Sequence, residues 1–268
     1  METTAIDLER SLARVLTESA GARRRLVTRE LVRVVGARCA AGPFRGMVLP
    51  EASSWGDGDL APKILGAYEC ELHPALERAF ARAPELVVNV GCAEGYYAVG
   101  AALRLPGCTV HAFDLDEAAL GVCAAAARLN GVAERIRLER RCEPGRLVEL
   151  LGTRPNALVL LDCEGYEREL ITERTLPALA AADLIVECHD FVDPGVTDRL
   201  AALLRPTHEV EILREGGRDP AAWPVLHALG SLDRWLVVCE FRPSLMRWIV
   251  ARPRADRRAA STPGDTAR

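Results

Sequence analysis

A chain of 268 residues is long enough for one large domain with extensions, and 49% hydrophobic with 27% charged residues is the balance of a soluble globular protein. A net charge of −4 and a pI near 5.8 give no general reason to expect nucleic acid as a partner. No apolar stretch approaches the roughly 18 residues that span a bilayer, so no membrane partner is expected.

The opening residues, METTAIDLERSLARVLTESA, carry acids and no apolar h-region, which does not read as a signal peptide. Nine cysteines are scattered without any C-x-x-C, so neither disulfides nor a cysteine-based zinc site is expected. The thiols suit a reducing cytoplasm, where they act as small buried side chains. Lys63 is the only lysine beside 33 arginines, a coding bias of a GC-rich genome and not a basic patch.

Residues 7–40 read as one or two helices, because Leu8, Leu12, Val15 and Leu16 recur at helical spacing, as do Leu31, Val34 and Val35. Their apolar faces are expected to cover the active site or to pair with a second copy in a homodimer. A Gly-, Pro-, Ser- and Asp-containing loop follows to residue 62, closing an N-terminal extension of residues 1–62. Residues 63–83 return to a helical pattern with Leu72, Leu76, Ala79 and Phe80 on one face.

The rhythm then changes. Short apolar runs at 86–90, 109–113, 135–139, 157–161 and 183–187 alternate with helical segments at 96–104, 116–130, 145–152, 167–181 and 195–205. That alternation predicts a parallel sheet with helices on both faces. HEVEIL at 208–213 and WLVVCEF at 235–241 read as two further strands. The predicted fold is α/β, a Rossmann-like, seven-stranded, mostly parallel sheet in a domain of residues 63–243. Residues 244–268 are expected to be a largely disordered tail, rich in Arg, Ala, Pro and Thr and without periodicity from about Pro253.

In an open parallel sheet the ligand lies beyond the carboxyl ends of the strands, at the point where strand order reverses. The turn after the first strand, VVNVGCAEGYYAVG, is therefore the expected site. It reads Asn89, Gly91, Cys92, Gly95, one glycine short of the dinucleotide fingerprint, with Glu94 a poor neighbour for a phosphate. A phosphate-free, cation-bearing ligand such as S-adenosylmethionine fits better. Asp114 follows Gly95 by 19 residues at the end of the next strand, the reach expected of an acid that binds ribose hydroxyls. Asp116 suits a helix N-cap. Taken alone, the glycines would equally make a tight turn in an unrelated α/β protein.

With these residues the sequence resembles class I S-adenosylmethionine-dependent methyltransferases over residues 63–241. LVLLDCEGYERELI followed by ADLIVECHDF narrows the resemblance to FkbM-like O-methyltransferases. Asp162, Glu164, Gly165 and Glu167 match the family's Asp-x-Glu-Gly-x-Glu block, and Glu187 and His189 match its acid-x-His strand end. Asn89 stands where many relatives carry an acid, and its carbonyl is expected to accept from the methionyl ammonium.

The resemblance implies methyl transfer from S-adenosylmethionine to a hydroxyl of a small molecule, in natural-product tailoring. It implies a cofactor site of Tyr68, Asn89, Gly91, Cys92, Gly95, Asp114, Leu115 and Glu143, with Glu69 and Tyr166 toward the acceptor. Positions two apart on a strand face one side, so Glu187 and His189 are expected to converge with Asp162 on one point. Two carboxylates and an imidazole suit Mg²⁺, Mn²⁺ or Fe²⁺. Without a metal, Asp162 and His189 are the candidate catalytic groups, His189 as general base. A structural hydrogen-bond network is the other reading of these three. The remaining histidines, His73, His111, His208 and His227, lack a comparable acidic setting and read as structural. Nitrogen or carboxylate methylation on the same fold remains open, as do an NAD(P)-dependent oxidoreductase and a non-catalytic nucleotide-binding module.

Overall fold

The computed structural model describes residues 5–54, 59–152 and 156–254. Seven strands form one sheet: β1 (Leu86–Val90), β2 (Thr109–Phe113), β3 (Ile136–Glu139), β4 (Ala157–Leu161), β5 (Asp183–Cys188), β6 (His208–Arg214) and β7 (Arg247–Pro253). The order is β3-β2-β1-β4-β5-β7-β6. The first five are parallel, and β7 runs antiparallel to both β5 and β6. This is the expected seven-stranded, mostly parallel α/β sheet.

Strand order reverses between β1 and β4, so their carboxyl ends open a crevice there. β1, β4 and β5 are buried along their whole length. Their continuous apolar runs put alternate side chains into two cores. Val87, Leu160 and Ile185 enter one core with Trp248, while Val88, Val159 and Val186 enter the other.

The helices are α1 (Ala5–Val35), α2 (Leu60–Leu65), α3 (His73–Ala81), α4 (Tyr96–Arg104), α5 (Glu117–Leu129), α6 (Pro144–Gly152), α7 (Glu167–Leu170), α8 (Leu176–Leu179), α9 (Val196–Leu204) and α10 (Ser231–Val238). Asp116 caps α5 as expected, its side chain accepting from the Ala118 amide at 2.8 Å. Among the described residues no helix is long and apolar enough to cross a membrane.

Several expected boundaries shift. The single helix read at 63–83 is two, broken where Gly66 and then Glu69 take left-handed backbone angles. The segment 167–181 is also two helices, because Thr175 Oγ1 donates to the Leu170 carbonyl at 2.7 Å and accepts from the Thr172 amide at 2.9 Å. WLVVCEF is not a strand. Residues through Val238 belong to α10, which buries Leu236, Val237 and Val238 and packs on α1. A short apolar run suits a buried helix as well as a strand.

The missing strand lies further on. Arg247–Pro253 forms β7, with Trp248 and Ile249 fully buried, so residues 247–253 are part of the sheet and not of a disordered tail. Residues 255–268, the rest of that expected tail, lie outside the described residues. The expectation for the first helix is corrected in part. The C-terminal half of α1 packs against α10, but Leu12, Val15 and Leu16 remain exposed, and none of its described side chains reaches the crevice.

Candidate active site

The crevice holds a cavity of about 500 Å³, walled by the β1–α4 turn, the end of β2, the β3–α6 loop, the β4–α7 loop and residues from α2 and Tyr68. The turn is built tightly. The amides of Gly91 and Cys92 both donate to the Phe113 carbonyl at 2.9 Å, and the Gly95 amide closes back on the Cys92 carbonyl at 2.8 Å. At Gly91, φ is +78°, and a Cβ there would lie 1.5 Å from the Asp162 carbonyl oxygen. At Gly95, φ is +90°, and a Cβ would lie 2.5 Å from Cys123 Sγ. Only glycine satisfies both the dihedral and the space. Asp114 anchors the turn from β2. Its Oδ2 accepts from the Ala93 amide at 2.8 Å and its Oδ1 from the Asp116 amide at 2.9 Å. Each oxygen keeps a further lone pair toward the cavity.

On the other side of the turn from Asp114 stands Asp162, one residue beyond β4. Its side chain is 34% exposed and lines the cavity. Burial, with the like charge of Glu69, pushes its carboxyl up to about 7. His189 Nε2 lies 3.6 Å from Asp162 Oδ1 and 3.4 Å from Glu164 Oε2. His189 Nδ1 meets the fully buried Glu167 at 2.9 Å. Glu167 also accepts from the amides of Cys163 and Gly165. Burial works against its charge, yet the His189 contact outweighs that and holds the Glu167 carboxyl below its ordinary value. Burial alone would lower the His189 pKa; Glu167 and the surrounding acids raise it instead. Glu164, at φ +55°, is a strained non-glycine position in this loop.

A second acidic group lies behind Asp162. Glu69 and Glu187 approach it closely enough for one oxygen of each to lie within 4.8 Å of the others. Arg242 fills the space between them. It bonds Glu69 at 2.7 Å and Glu240 at 2.7 Å, pairs with Glu187, and stacks over the Trp248 ring. Burial with the neighbouring Asp162 pushes the Glu187 carboxyl well up.

The expected triad of Asp162, Glu187 and His189 is therefore split. Asp162 belongs to two groups, one with Glu164 and His189 and one with Glu69 and Glu187. The alternation argument fails because β5 ends at Cys188, so His189 no longer follows the pleat and Glu187 is drawn to Arg242. Of the expected cofactor residues, Tyr68, Gly91, Cys92, Asp114 and Leu115 are on the cavity wall. Gly95 shapes the turn from behind.

Asn89 is not on that wall. It is 1% exposed inside β1, and its Oδ1 has no hydrogen-bond partner. Glu143 also misses the wall. Buried Cys142 takes that place, and Glu143 turns outward to Arg141 at 2.7 Å. Glu69 lies behind Asp162 and does not line this cavity; its carboxylate, carried on a left-handed backbone, meets Arg242. Tyr166 is on the wall, shared with an adjoining open groove of about 720 Å³ that Glu143, Arg168 and Asp193 also line. His111, read as lacking an acidic setting, meets Glu139 at 2.8 Å, outside the cavity. Glu167, Arg242 and Lys63 were given no role by sequence reasoning. The bare Asp-x-Glu-Gly-x-Glu spacing was the one signal available for Glu167.

Neither a family model nor a curated protein matches the chain. Among solved structures, the chain is similar to the O-methyltransferase TomG from Streptomyces achromogenes, involved in tomaymycin synthesis and solved with S-adenosylmethionine. The identity is 16% over 68% of this chain and 78% of that one, with a TM-score of 0.45. It is similar to an O-methyltransferase from Bacillus cereus in complex with S-adenosylhomocysteine, at 11% identity over 69% and 81%, TM-score 0.44. It is also similar to cofactor-bound Rv0187 from MTB, at 14% identity over 95% of this chain and 100% of that one, TM-score 0.43. Likeness at these scores does not bear on the chemistry, which rests on the side chains above.

Proposed function

We propose that the chain is a class I, FkbM-like methyltransferase that moves the methyl group of S-adenosylmethionine to a hydroxyl of a small molecule, in natural-product tailoring in the cytoplasm. The observation that carries this is one cavity with two ends, on either side of the glycine turn. Asp114 stands at one, and Asp162, whose carboxyl is pushed up to about 7, stands at the other. The first end suits a ribose and an amino-acid tail without phosphate. The second suits proton removal from a hydroxyl at neutral pH.

In the reaction the acceptor oxygen attacks the methyl carbon, the carbon–sulfur bond breaks, and its electron pair stays on sulfur to leave neutral S-adenosylhomocysteine. Asp162 takes the hydroxyl proton. His189 steadies that carboxylate from 3.6 Å, with its own ring held by Glu167. Asp162, Glu164 and His189 Nε2 also fit a divalent cation such as Mg²⁺, Mn²⁺ or Fe²⁺: two carboxylates, one imidazole, and a buried carboxylate on the far ring nitrogen. When bound, such an ion supplies acidity to the acceptor hydroxyl.

The test is calorimetry with S-adenosylhomocysteine on wild type and Asp114→Ala, followed by mass spectrometry with labelled S-adenosylmethionine and candidate acceptors. The variant loses about 1.5–3 kcal/mol of affinity, the scale of hydrogen bonds to a charged group. Equal affinity in the two proteins removes Asp114 from the ribose, and tight binding of NAD in place of S-adenosylhomocysteine overturns the class. Turnover that survives EDTA undiminished removes the metal from the proposal.

A further inference from the structure

Lys63 and Glu94 share one wall of the cavity. Lys63 is the chain's only lysine and is buried, 6% exposed, on α2. Its ammonium sits 4.9 Å from the Tyr68 ring centroid and 5.6 Å from that of Tyr96, both of which also line the cavity. Glu94 lies inside the glycine turn and is 7% exposed. Its Oε1 is saturated by the Ser53 hydroxyl, the Ser54 amide and the Ser54 hydroxyl, each at 2.9 Å. Its Oε2 is buried with no hydrogen-bond partner among the described residues. Burial works against the Glu94 charge, but Lys63 and the two serines outweigh it and hold the carboxyl below its ordinary value. A buried carboxylate oxygen left without a donor is costly, and a ligand N–H removes that cost.

We infer that Lys63 and Glu94 form a two-point receptor for a zwitterionic α-amino acid, the lysine ammonium taking the carboxylate and Glu94 Oε2 the ammonium. In this cavity that group is the amino-acid end of S-adenosylmethionine, so the inference rests on the cofactor reading above. The order along the turn supports it. Ala93 is tied to Asp114, the proposed ribose acid, and the next residue carries Glu94 into the same cavity. Asn89 is thereby relieved of the ammonium, which agrees with its position inside β1. A compact ammonium between two tyrosine rings also accounts for a lysine in a chain that otherwise uses arginine.

The experiment compares three probes on wild type, Lys63→Met and Glu94→Gln by calorimetry. S-adenosylhomocysteine carries the whole amino-acid end. Its decarboxylated form, S-adenosyl-3-thiopropylamine, keeps only the ammonium. 5′-Methylthioadenosine has neither. Wild type binds S-adenosylhomocysteine at least about tenfold more tightly than methylthioadenosine. Lys63→Met loses about 10–100-fold for S-adenosylhomocysteine and little for the other two. Glu94→Gln loses a similar factor for both ammonium-bearing probes and spares methylthioadenosine, whose binding also reports that each variant is folded. Losses equal across all three probes, or no loss in either variant, overturn the receptor while leaving the cofactor reading intact. Failure of wild type to bind any of the three overturns the cofactor reading itself.

Discussion

Replacing Gly91 by alanine tests whether the glycine turn and the end of β4 are locked together as the structure has them. The new Cβ would lie 1.5 Å from the Asp162 carbonyl oxygen, 2.6 Å from its carbonyl carbon and 3.3 Å from the Cys163 amide nitrogen. All three are backbone atoms, so no side chain can swing away. Restoring a normal carbon–oxygen contact needs a retreat of roughly 1.5–2 Å between β1 and β4. That movement breaks the ladder bond from the Asp162 amide to the Val90 carbonyl, 2.9 Å long, at about 1 kcal/mol. The left-handed backbone at φ +78° adds about 1–2 kcal/mol, and displaced packing about 1–3 kcal/mol. The expected loss is therefore about 3–6 kcal/mol, read from urea unfolding midpoints. Weaker S-adenosylhomocysteine binding accompanies it, because Asp162 moves with the strand end. Two controls separate the contributions. At Gly131, φ is +67° with nothing near the added Cβ, so alanine there costs only the backbone strain. At Gly107 the space is open and the backbone ordinary, so alanine is close to neutral. If Gly91→Ala is no worse than Gly131→Ala, the contact between the turn and Asp162 is not what confines that position.

Two other outcomes follow from the acidic end of the cavity. Glu167→Gln removes the carboxylate that raises the His189 pKa, so the imidazole should titrate lower in an NMR titration; an unchanged midpoint would detach Glu167 from His189. Asp162 titrates near 7 in the folded chain against 3.8 as a free side chain, so the folded state holds a proton that the unfolded state releases. Stability from this group is full below about pH 4 and is lost as pH rises toward 7; Asp162→Asn should flatten that decline, and urea midpoints that decline equally in variant and wild type would refute the assignment.

Much of the left half of the sheet was readable. LVVNV, TVHAF and ALVLL are runs too short for a helix and too apolar for a surface strand, and the turn glycines punctuate them. Asp114 was readable because its distance from the turn is set by one helix and one strand. On the other side, DLIVE and HEVEIL were readable as β5 and β6, but β7, the strand between them, was not. Trp235 is exposed on α10 and Trp248 is buried on β7, yet both sit in short apolar runs next to arginines. What separates them is the partner each face meets, α1 in one case and β5 with β6 in the other, and that is a tertiary fact. The site shows the same limit. Spacing brought Asp162, Glu187 and His189 to neighbouring strand ends. Their sorting depended on Arg242, 53 residues beyond His189 and inside a loop without a motif.

The place of β7 between β5 and β6 also governs how the molecule is made. Among the strands β6 pairs with β7 alone, so it cannot join the sheet until the chain has been synthesised through Pro253. Until then β5, buried on both faces in the finished sheet, presents one whole row of unpaired amides and carbonyls to the ribosome's surroundings. The first five strands are able to assemble as they emerge, but the sheet closes only by insertion of the last strand into an interior slot. A nascent chain stalled in the loop before Arg247, or a mature one nicked there, would expose an adhesive apolar edge in place of Trp248. Chaperone demand should thus concentrate on the species that precedes β7, which already contains the complete glycine turn and Asp162 but lacks the Arg242 segment's anchorage in β7.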